Sequence, residues 1–309
     1  MSWSIWNYKT SWLLHDRQKM KRVVILIPVY NDWESLLKLI EEINENVKIF
    51  NSISFSCLII NDASTIQMPK ISKPSKFETI EILNMRENRG HARCNAFGLR
   101  YAFKNKKFDS LILMDGDGED RPEEIISLIK KVNESPNNSV VAKRVKRSEG
   151  PFFQFLYYAH KLITFFFTGK NINFGNFSLL TKDDVGKLQS KGSLWSSFSG
   201  SVKKHIHNFN EIDSIRGIRY FGPSKMSLIK LVLHSLSIIA VFKYQVFLRS
   251  TLIIIVLAYL NSNLGNFTTT LQILIVIFNI IIFIVSKREI EKDLVNSHKN
   301  LEEVKTITH

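Results

Sequence analysis

Short apolar runs alternate with segments of helical periodicity through the first half of the chain. The runs have the length of buried strands, and the segments between them place apolar residues on one helical face. The predicted strands are residues 21–28, 55–60, 79–84 and 111–114, and the predicted helices are residues 33–47, 91–103 and 122–132. Strands that alternate with helices are typical of a parallel sheet, so residues 21–135 predict an α/β domain.

Polar loops follow three of these predicted strands, at residues 28–32, 61–65 and 115–119. Ligands of open parallel sheets bind outside the carboxyl ends of the strands. We therefore expect the three loops to converge at one edge of the sheet and to form a ligand site there.

The third loop carries two carboxylates one residue apart, Asp115 and Asp117, separated by Gly116. Side chains at i and i+2 of an extended chain point to the same side, so both acids can converge on one hard cation. Mg²⁺ or Mn²⁺ suits carboxylate oxygens and usually shares its ligands with substrate phosphates. The alternative is an acidic turn before a helix that begins near Pro122.

The last third of the chain is strongly apolar. Residues 268–286 contain no charge over 19 positions, and a shorter apolar run covers 250–260. The simplest prediction is a hairpin of two membrane-spanning helices; a buried helix of a soluble domain is the alternative, chiefly for the shorter run. An amphipathic helix at 224–247 is expected to lie at the membrane interface before the hairpin, and the tail after Arg288 is expected to be a solvated helix.

Charge adds to this picture. The chain has 42 basic and 28 acidic residues, a net charge of +14. This favours an anionic partner, either phosphates, a membrane surface or nucleic acid; no nucleic-acid-binding module is recognisable, so nucleic acid is not expected. Basic residues flank the hairpin at its outer ends, which predicts that both ends are cytoplasmic. They are Lys243, Arg249, Lys287 and Arg288.

Two other features receive structural interpretations. The aromatic segment 1–20 lacks the apolar core of a signal peptide and is expected to dock on the domain. His91, His160 and His205 have no spacing typical of metal ligands, and we expect structural or surface roles for them.

Four motifs in order resemble the family-2 nucleotide-sugar glycosyltransferases, which have the GT-A fold. They are Ile27-Pro-Val-Tyr-Asn-Asp32, Asn61-Asp-Ala-Ser-Thr65, Asn88-Arg-Gly-His-Ala-Arg93 and Met114-Asp-Gly-Asp-Gly-Glu-Asp120. The hairpin, the basic stretch 144–147, the segment 174–179 and Gly222-Pro-Ser-Lys225 resemble the polyprenyl-phosphate glycosyltransferases within that family. The resemblance covers about residues 21–286.

The resemblance implies inverting, Mg²⁺- or Mn²⁺-dependent transfer of a sugar from a UDP- or GDP-sugar to a polyprenyl phosphate. It also implies site residues: Asp115, Asp117 and Glu119 for the metal; Pro28, Tyr30, Asp32, Asp62, Gly90 and Asp115 for the nucleotide-sugar; Asp117, Arg144 and Arg147 for catalysis; Ser224 and Lys225 on the acceptor side near the membrane. The expected domains are an extension (1–20), a GT-A domain (21–223), the amphipathic helix (224–247), two transmembrane helices (248–286) and a cytoplasmic tail (287–309).

Two departures from the family pattern leave alternatives open. Asn61 and Asn176 stand where many relatives carry aspartate. The chain could therefore be an inactive scaffold that still binds nucleotide. Separately, the same fold could act on another acceptor, such as a growing glycan, with the hairpin serving only as an anchor. The expected location is a bacterial-type inner membrane with the catalytic domain on the cytoplasmic side, and a homo-oligomer is compatible with all these hypotheses.

Overall fold

The computed structural model describes residues 22–146, 151–223 and 227–308. The predicted extension 1–20 and the predicted site residues Arg147, Ser224 and Lys225 lie outside these ranges. Within them, eight strands form one sheet in the order β7-β5-β6-β4-β1-β2-β3-β8. The strands are β1 (Arg22–Val29), β2 (Ser54–Asn61), β3 (Phe77–Met85), β4 (Ser110–Leu113), β5 (Ser139–Lys146), β6 (Phe174–Thr181), β7 (Phe209–Ile215) and β8 (Leu301–Ile307).

The central four strands, β3, β2, β1 and β4, are parallel, as the alternating pattern predicted. Strands β6 and β8 pair antiparallel with β4 and β3. Strand β1 is buried from its second residue onward, which explains its continuous run of valine, isoleucine and leucine. Helices cover both faces of the sheet, so apolar side chains alternate between two cores.

The first three helices lie where the sequence predicted them. The helices are α1 (Trp33–Val47), α2 (His91–Asn105), α3 (Glu124–Glu134), α4 (Pro151–Thr168), α5 (Lys182–Leu188), α6 (Gly192–Ser196), α7 (Phe198–His205), α8 (Leu228–Ala240), α9 (Lys243–Leu264), α10 (Asn266–Ser286) and α11 (Glu291–Val295), with a 3-10 helix at Ser297–Asn300.

Helix α2 packs closely on the sheet through Gly98. A Cβ atom at this position would lie 2.9 Å from Cδ2 of Leu26 and 3.1 Å from Cγ1 of Ile60, both fully buried. We expect Gly98→Val to lower the free energy of unfolding by about 3 kcal/mol, because the added methyl groups overpack the core. Denaturant unfolding of the purified chain measures this. Lys104→Val, on an exposed position of the same helix, is the control, and an equal effect of both substitutions would contradict the packing account.

Helices α9 and α10 form the predicted hairpin, and Gly265, with φ 53°, reverses the chain between them. Among the described residues, both helices are long and apolar enough to cross a membrane. Only 11% and 17% of their apolar windows are buried, so they are not core helices of a soluble domain. Their length, composition and exposed apolar surface indicate membrane association.

The helix before the hairpin is shorter than predicted. Helix α8 ends at Ala240, and α9 begins at Lys243 instead of near residue 248. Val241 and Phe242 between them are buried in the domain, which fixes a turn that the apolar pattern alone does not show.

The prediction of a solvated helix for the tail is wrong. The chain returns from α10 through α11 and the 3-10 helix, and β8 then pairs antiparallel with β3. Without β8, β3 would be the edge strand of the sheet and would have unpaired backbone groups. Strand β8 pairs with these groups and contains the strand-favouring Val304, Thr306 and Ile307. The charged residues of β8 are exposed, which is why the sequence pattern predicted a solvated segment.

Candidate active site

The first two polar loops are joined by hydrogen bonds at the carboxyl edge of the sheet. The side-chain oxygen of Asn31 accepts from the backbone N–H groups of Thr65 (2.8 Å) and Ile66 (3.0 Å). The backbone N–H of Asn31 donates to Oγ of Ser64 at 2.9 Å. Asn31 and Ala63 have positive φ angles of 51° and 56°, a strained conformation that tends to cluster at ligand sites.

Asp62 joins the second loop to the start of α2. Its buried carboxylate accepts from the backbone N–H groups of Arg89 (2.8 Å) and Gly90 (2.9 Å). The side chain of Asn88 donates to the backbone oxygen of Asp62 at 3.1 Å. Gly90, with φ 87°, provides the turn into the helix.

The acidic loop after β4 lies against the first loop. A Cβ at Gly116 would come 3.0 Å from the backbone oxygen of Pro28, so glycine permits this close approach. Tyr30, on the same first loop, is 40% exposed and open to a ligand. The three loops therefore meet at one edge, as the strand pattern predicted.

Asp115 is held by two polar side chains from distant parts of the chain. Its Oδ1 lies 3.1 Å from Nε2 of His91 and accepts from the side-chain amide of Asn176 at 3.1 Å. Burial alone would raise the pKa of the Asp115 carboxyl, but His91, Arg144 and Asn176 hold it well below its usual value. Burial likewise would lower the pKa of His91, yet the charge of Asp115 raises it.

Sequence reasoning placed His91 outside the site and treated Asn176 as a departure. His91 in fact lies at the first position of α2, and its ring also contacts the Asn176 amide at 2.8 Å. The sequence signal for a site role of His91 was its position directly after Gly90, at the carboxyl edge of the sheet. An ionised aspartate at position 176 would face Asp115 with a like charge, whereas the amide donates a hydrogen bond.

Asp117 is paired with Arg219, which sequence reasoning missed. The Arg219 guanidinium donates to Oδ2 of Asp117 at 2.7 Å and also to the carboxylate of Asp32. Burial, followed by the charges of Asp115 and Glu119, raises the pKa of Asp117 to about 6 in spite of that arginine. Burial and two like charges thus disfavour the ionised form of Asp117, which a bound cation would favour.

The segment 216–220 runs along the acidic loop and covers it. Arg216 pairs with the carboxylate of Glu119, and the backbone N–H of Gly217 donates to the backbone oxygen of Glu119 at 2.9 Å. The backbone N–H of Tyr220 donates to the backbone oxygen of Asp117 at 3.0 Å. Two arginines just before Gly222-Pro-Ser-Lys225 were the sequence signal for this contact.

Arg144 lies on the other side of the acidic loop. Its Nη2 is 3.6 Å from Oδ1 of Asp120, and a Cβ at Gly175 would come within 2.9 Å of the same nitrogen. Asp120 is buried and accepts from the backbone N–H of Asp115 at 2.9 Å. Burial and the charge of Asp115 raise the pKa of Asp120 to about 7.

Helix α8 contacts α7 of the domain and helices α9 and α10 of the hairpin. Burial, together with the charges of His91 and His160, lowers the pKa of His234 on α8 to about 4, and Asp115 and Arg144 also act on it. His160 belongs to α4, which contacts both α8 and α9. The hairpin therefore packs on the α/β domain through α8 and α4.

A divalent cation fits the donor set of this loop. Within the described ranges, no three carboxylate, histidine or cysteine groups form a ready-made cation cage. Two carboxylates one residue apart, with the charge of one raising the pKa of the other, suit a cation that takes its other ligands from substrate phosphates. Asp115 and Asp117 are the residues that would hold it, and Glu119 remains a predicted third ligand.

Comparison with known proteins agrees with the fold. The family model described as Glycosyl transferase family 2 matches residues 24–198. The chain belongs to this family, and we therefore describe it as a glycosyltransferase.

Among curated proteins, the chain is 31% identical over 125 residues to an undecaprenyl-phosphate 4-deoxy-4-formamido-L-arabinose transferase of Salmonella choleraesuis, covering 39% of this chain and 36% of that protein. It is 24% identical over 126 residues to an uncharacterised protein of Methanocaldococcus jannaschii, covering 40% of this chain and 52% of that protein. The match thus spans about a third to a half of the length of these relatives.

A solved structure shares the fold. Glucosyl-3-phosphoglycerate synthase from Mycobacterium tuberculosis, in complex with Mn²⁺, UDP-glucose and phosphoglyceric acid, superposes with a TM-score of 0.50 and 12% identity. The superposition covers 80% of this chain and 85% of that chain. It establishes the GT-A fold of the catalytic domain.

Proposed function

We propose that this glycosyltransferase moves a sugar from a nucleotide-diphosphate sugar to a membrane polyprenyl phosphate, with inversion and with Mg²⁺ or Mn²⁺. The observation that carries the proposal is that one chain combines this acidic loop with an exposed apolar hairpin that indicates membrane association. A membrane-associated catalytic domain suits an acceptor that is itself anchored in the bilayer. The undecaprenyl-phosphate transferase among the relatives supports this choice of acceptor.

The three loops form the donor site in this proposal. Pro28, Tyr30, Asp62 and Gly90 border the nucleotide, and Asp32 lies between them and the acidic loop. Asp115 and Asp117 would hold the cation, with Glu119 as a further candidate ligand. When bound, the cation neutralises charge on the diphosphate leaving group.

Arginine side chains supply the rest of the positive charge. Arg219 already contacts Asp117 and Asp32, so its guanidinium is placed at the border between the cation ligands and the nucleotide loop. Arg144, which lies near Asp120, is proposed to bind a donor or acceptor phosphate, and Arg147 is proposed to assist it. A planar guanidinium suits phosphate oxygens, and stabilising charge that develops in the transition state accelerates the reaction.

The acceptor needs little help from a base. A polyprenyl phosphate is already an anionic nucleophile, unlike a sugar hydroxyl. The presence of Asn176 beside Asp115 is compatible with this chemistry, because the amide holds Asp115 in place without removing a proton. Ser224 and Lys225 are proposed to contact the acceptor near the membrane.

The hairpin anchors the enzyme with its catalytic domain on the cytoplasmic side. Lys243 and Arg249 lie in the first two turns of α9, before its apolar run, and Lys287 and Arg288 follow α10. Residues 1–20, 21–223, 224–247, 248–286 and 287–309 remain the proposed domains, although the last region also completes the sheet. A bacterial-type inner membrane is the proposed location.

A panel of labelled UDP- and GDP-sugars tests the donor and acceptor together. The full chain in detergent is incubated with each donor, with Mn²⁺, and with undecaprenyl phosphate or a water-soluble glycan. We expect one donor to give an organic-soluble, acid-labile product that requires undecaprenyl phosphate. Label transferred only to the water-soluble acceptor would assign a glycan acceptor, and nucleotide binding without any transfer would assign an inactive scaffold.

A further inference from the structure

The tail that follows the membrane hairpin returns to the donor edge of the sheet. Strand β8 runs antiparallel to β3, with Leu301 opposite Met85. Asn300, the last residue of the 3-10 helix, therefore lies beside the loop that follows β3. This loop, residues 86–90, leads directly into α2 and is called the donor loop below.

Asn300 makes three hydrogen bonds to the first two residues of the donor loop. Its backbone oxygen accepts from the N–H of Arg86 at 2.8 Å, and its side-chain oxygen accepts from the N–H of Glu87 at 3.2 Å. Its side-chain amide donates to the backbone oxygen of Glu87 at 3.0 Å. One asparagine thus satisfies both backbone groups of Glu87.

Asp62 binds the remaining part of the same loop. Its carboxylate accepts the N–H groups of Arg89 and Gly90, and its backbone oxygen accepts the side-chain amide of Asn88. The donor loop is therefore bound at its start by the tail and at its end by Asp62, which is proposed to border the nucleotide. Only Glu87 and Asn88 lie between Asn300 and Asp62 in this series of contacts.

A second connection crosses the sheet from β8 to the second polar loop. Glu303, Asn84 and Asn61 are direct neighbours on β8, β3 and β2. The Asn84 amide donates to Glu303 at 3.2 Å, and the Asn61 amide donates to Asn84 at 2.9 Å. The Asn61 oxygen then accepts from the backbone N–H of Ser64 at 3.0 Å. Ionised aspartate at position 61 could not donate to Asn84, so this connection gives Asn61 a structural reason.

We infer that Asn300 and Glu303 are positioning residues for the donor nucleotide. They act through the donor loop and through the Asn84–Asn61 connection, and they order the backbone on either side of Asp62. The inference rests on the proposed function for the identity of the ligand. It means that residues after the hairpin form the donor site together with residues before the hairpin.

Nucleotide binding tests the role of Asn300. UDP and GDP, each with Mn²⁺, are titrated calorimetrically into the full chain in detergent, using wild type, Asn300→Ala and Asn296→Ala. We expect Asn300→Ala to weaken binding of the preferred nucleotide about fivefold, the effect of losing one or two loop-ordering hydrogen bonds. Asn296 lies in the same segment, and its side chain makes no hydrogen bond among the described residues, so its substitution is expected to leave binding unchanged. Asn300→Asp keeps the acceptor for Glu87 and is expected to give an intermediate loss.

Glu303 is tested by kinetics with a matched pair of variants. Glu303→Ala removes the acceptor of the Asn84 amide, whereas Glu303→Gln keeps one. We expect Glu303→Ala alone to raise the KM for the donor about threefold, with kcat and the KM for the acceptor unchanged. Glu302→Ala, at the exposed neighbouring position of β8, is the control.

Hydrogen exchange separates failure of this inference from failure of the proposed function. We expect Asn300→Ala to speed exchange of the amides in residues 87–90, with β3 still protected. If the wild type binds nucleotide and Asn300→Ala shows the same affinity and the same amide exchange, the inference is overturned and the proposed function stays intact. If wild type binds neither nucleotide, the proposed function fails, and unchanged exchange would overturn the positioning role as well.

Discussion

Replacing Asp117 with asparagine is expected to lower the rate of sugar transfer by about 100- to 1000-fold. The substitution keeps the size of the side chain but removes an anionic ligand from the acidic loop, and losses of this order follow removal of a group that stabilises transition-state charge. The rate is measured with labelled donor at saturating Mn²⁺. Mn²⁺ affinity, measured by electron paramagnetic resonance without donor, is expected to fall in parallel.

Asp183→Asn is the matched control for this prediction. Asp183 is an exposed acid in the first turn of α5. This helix follows β6 in the chain and lies outside the acidic loop. Transfer and Mn²⁺ affinity should both remain at the wild-type value. Wild-type transfer by the Asp117 variant would contradict the assignment of the acidic loop as the cation site.

Placing arginines in the hairpin is expected to release the protein from the membrane or to prevent its accumulation there. Ile255 and Ile277 lie near the middle of α9 and α10 and are 59% and 47% exposed. Each arginine at the centre of a span costs about 3 kcal/mol for insertion, so the double variant loses about 6 kcal/mol. Alkaline carbonate washing of membranes, followed by quantification of the retained protein, measures the effect.

Ile49→Arg makes the same chemical change on the catalytic domain. Ile49 is 58% exposed and lies just after α1, outside the hairpin. It should leave retention in washed membranes unchanged. Equal retention of the double variant and the wild type would show that the apolar helices do not enter the bilayer.

The sequence predicts the central part of the fold well, because its information is local. The apolar runs of β1, β2, β3 and β4 and the amphipathic spacing of α1 determine these elements within their own windows. Strand β8 could not be found in this way, since its residues are mostly exposed and its partner lies on β3, more than 200 residues earlier in the chain. Only the unpaired edge of β3 makes this segment a strand.

The same distinction applies to the candidate site. The Asp115-Gly-Asp117 motif and the three loops are visible in the sequence, because strand ends and acids are local features. Arg219 and His91 were missed, since their roles depend on contacts across 102 and 24 positions of the chain. Asn176 and Asn61 are departures from the family pattern that the structure explains by the hydrogen bonds of their amides.

The most direct test of the central claim is the partition of labelled sugar between water and organic solvent. Purified full-length chain is mixed with its preferred labelled nucleotide-sugar and undecaprenyl phosphate, and released nucleoside diphosphate is quantified in the same samples. We predict organic-soluble label and nucleoside diphosphate in equal amounts with Mn²⁺, loss of both with EDTA, and recovery when excess Mn²⁺ is restored. Organic-soluble label that forms equally well in EDTA would contradict the metal site, and label that stays in water in every sample would contradict the lipid acceptor.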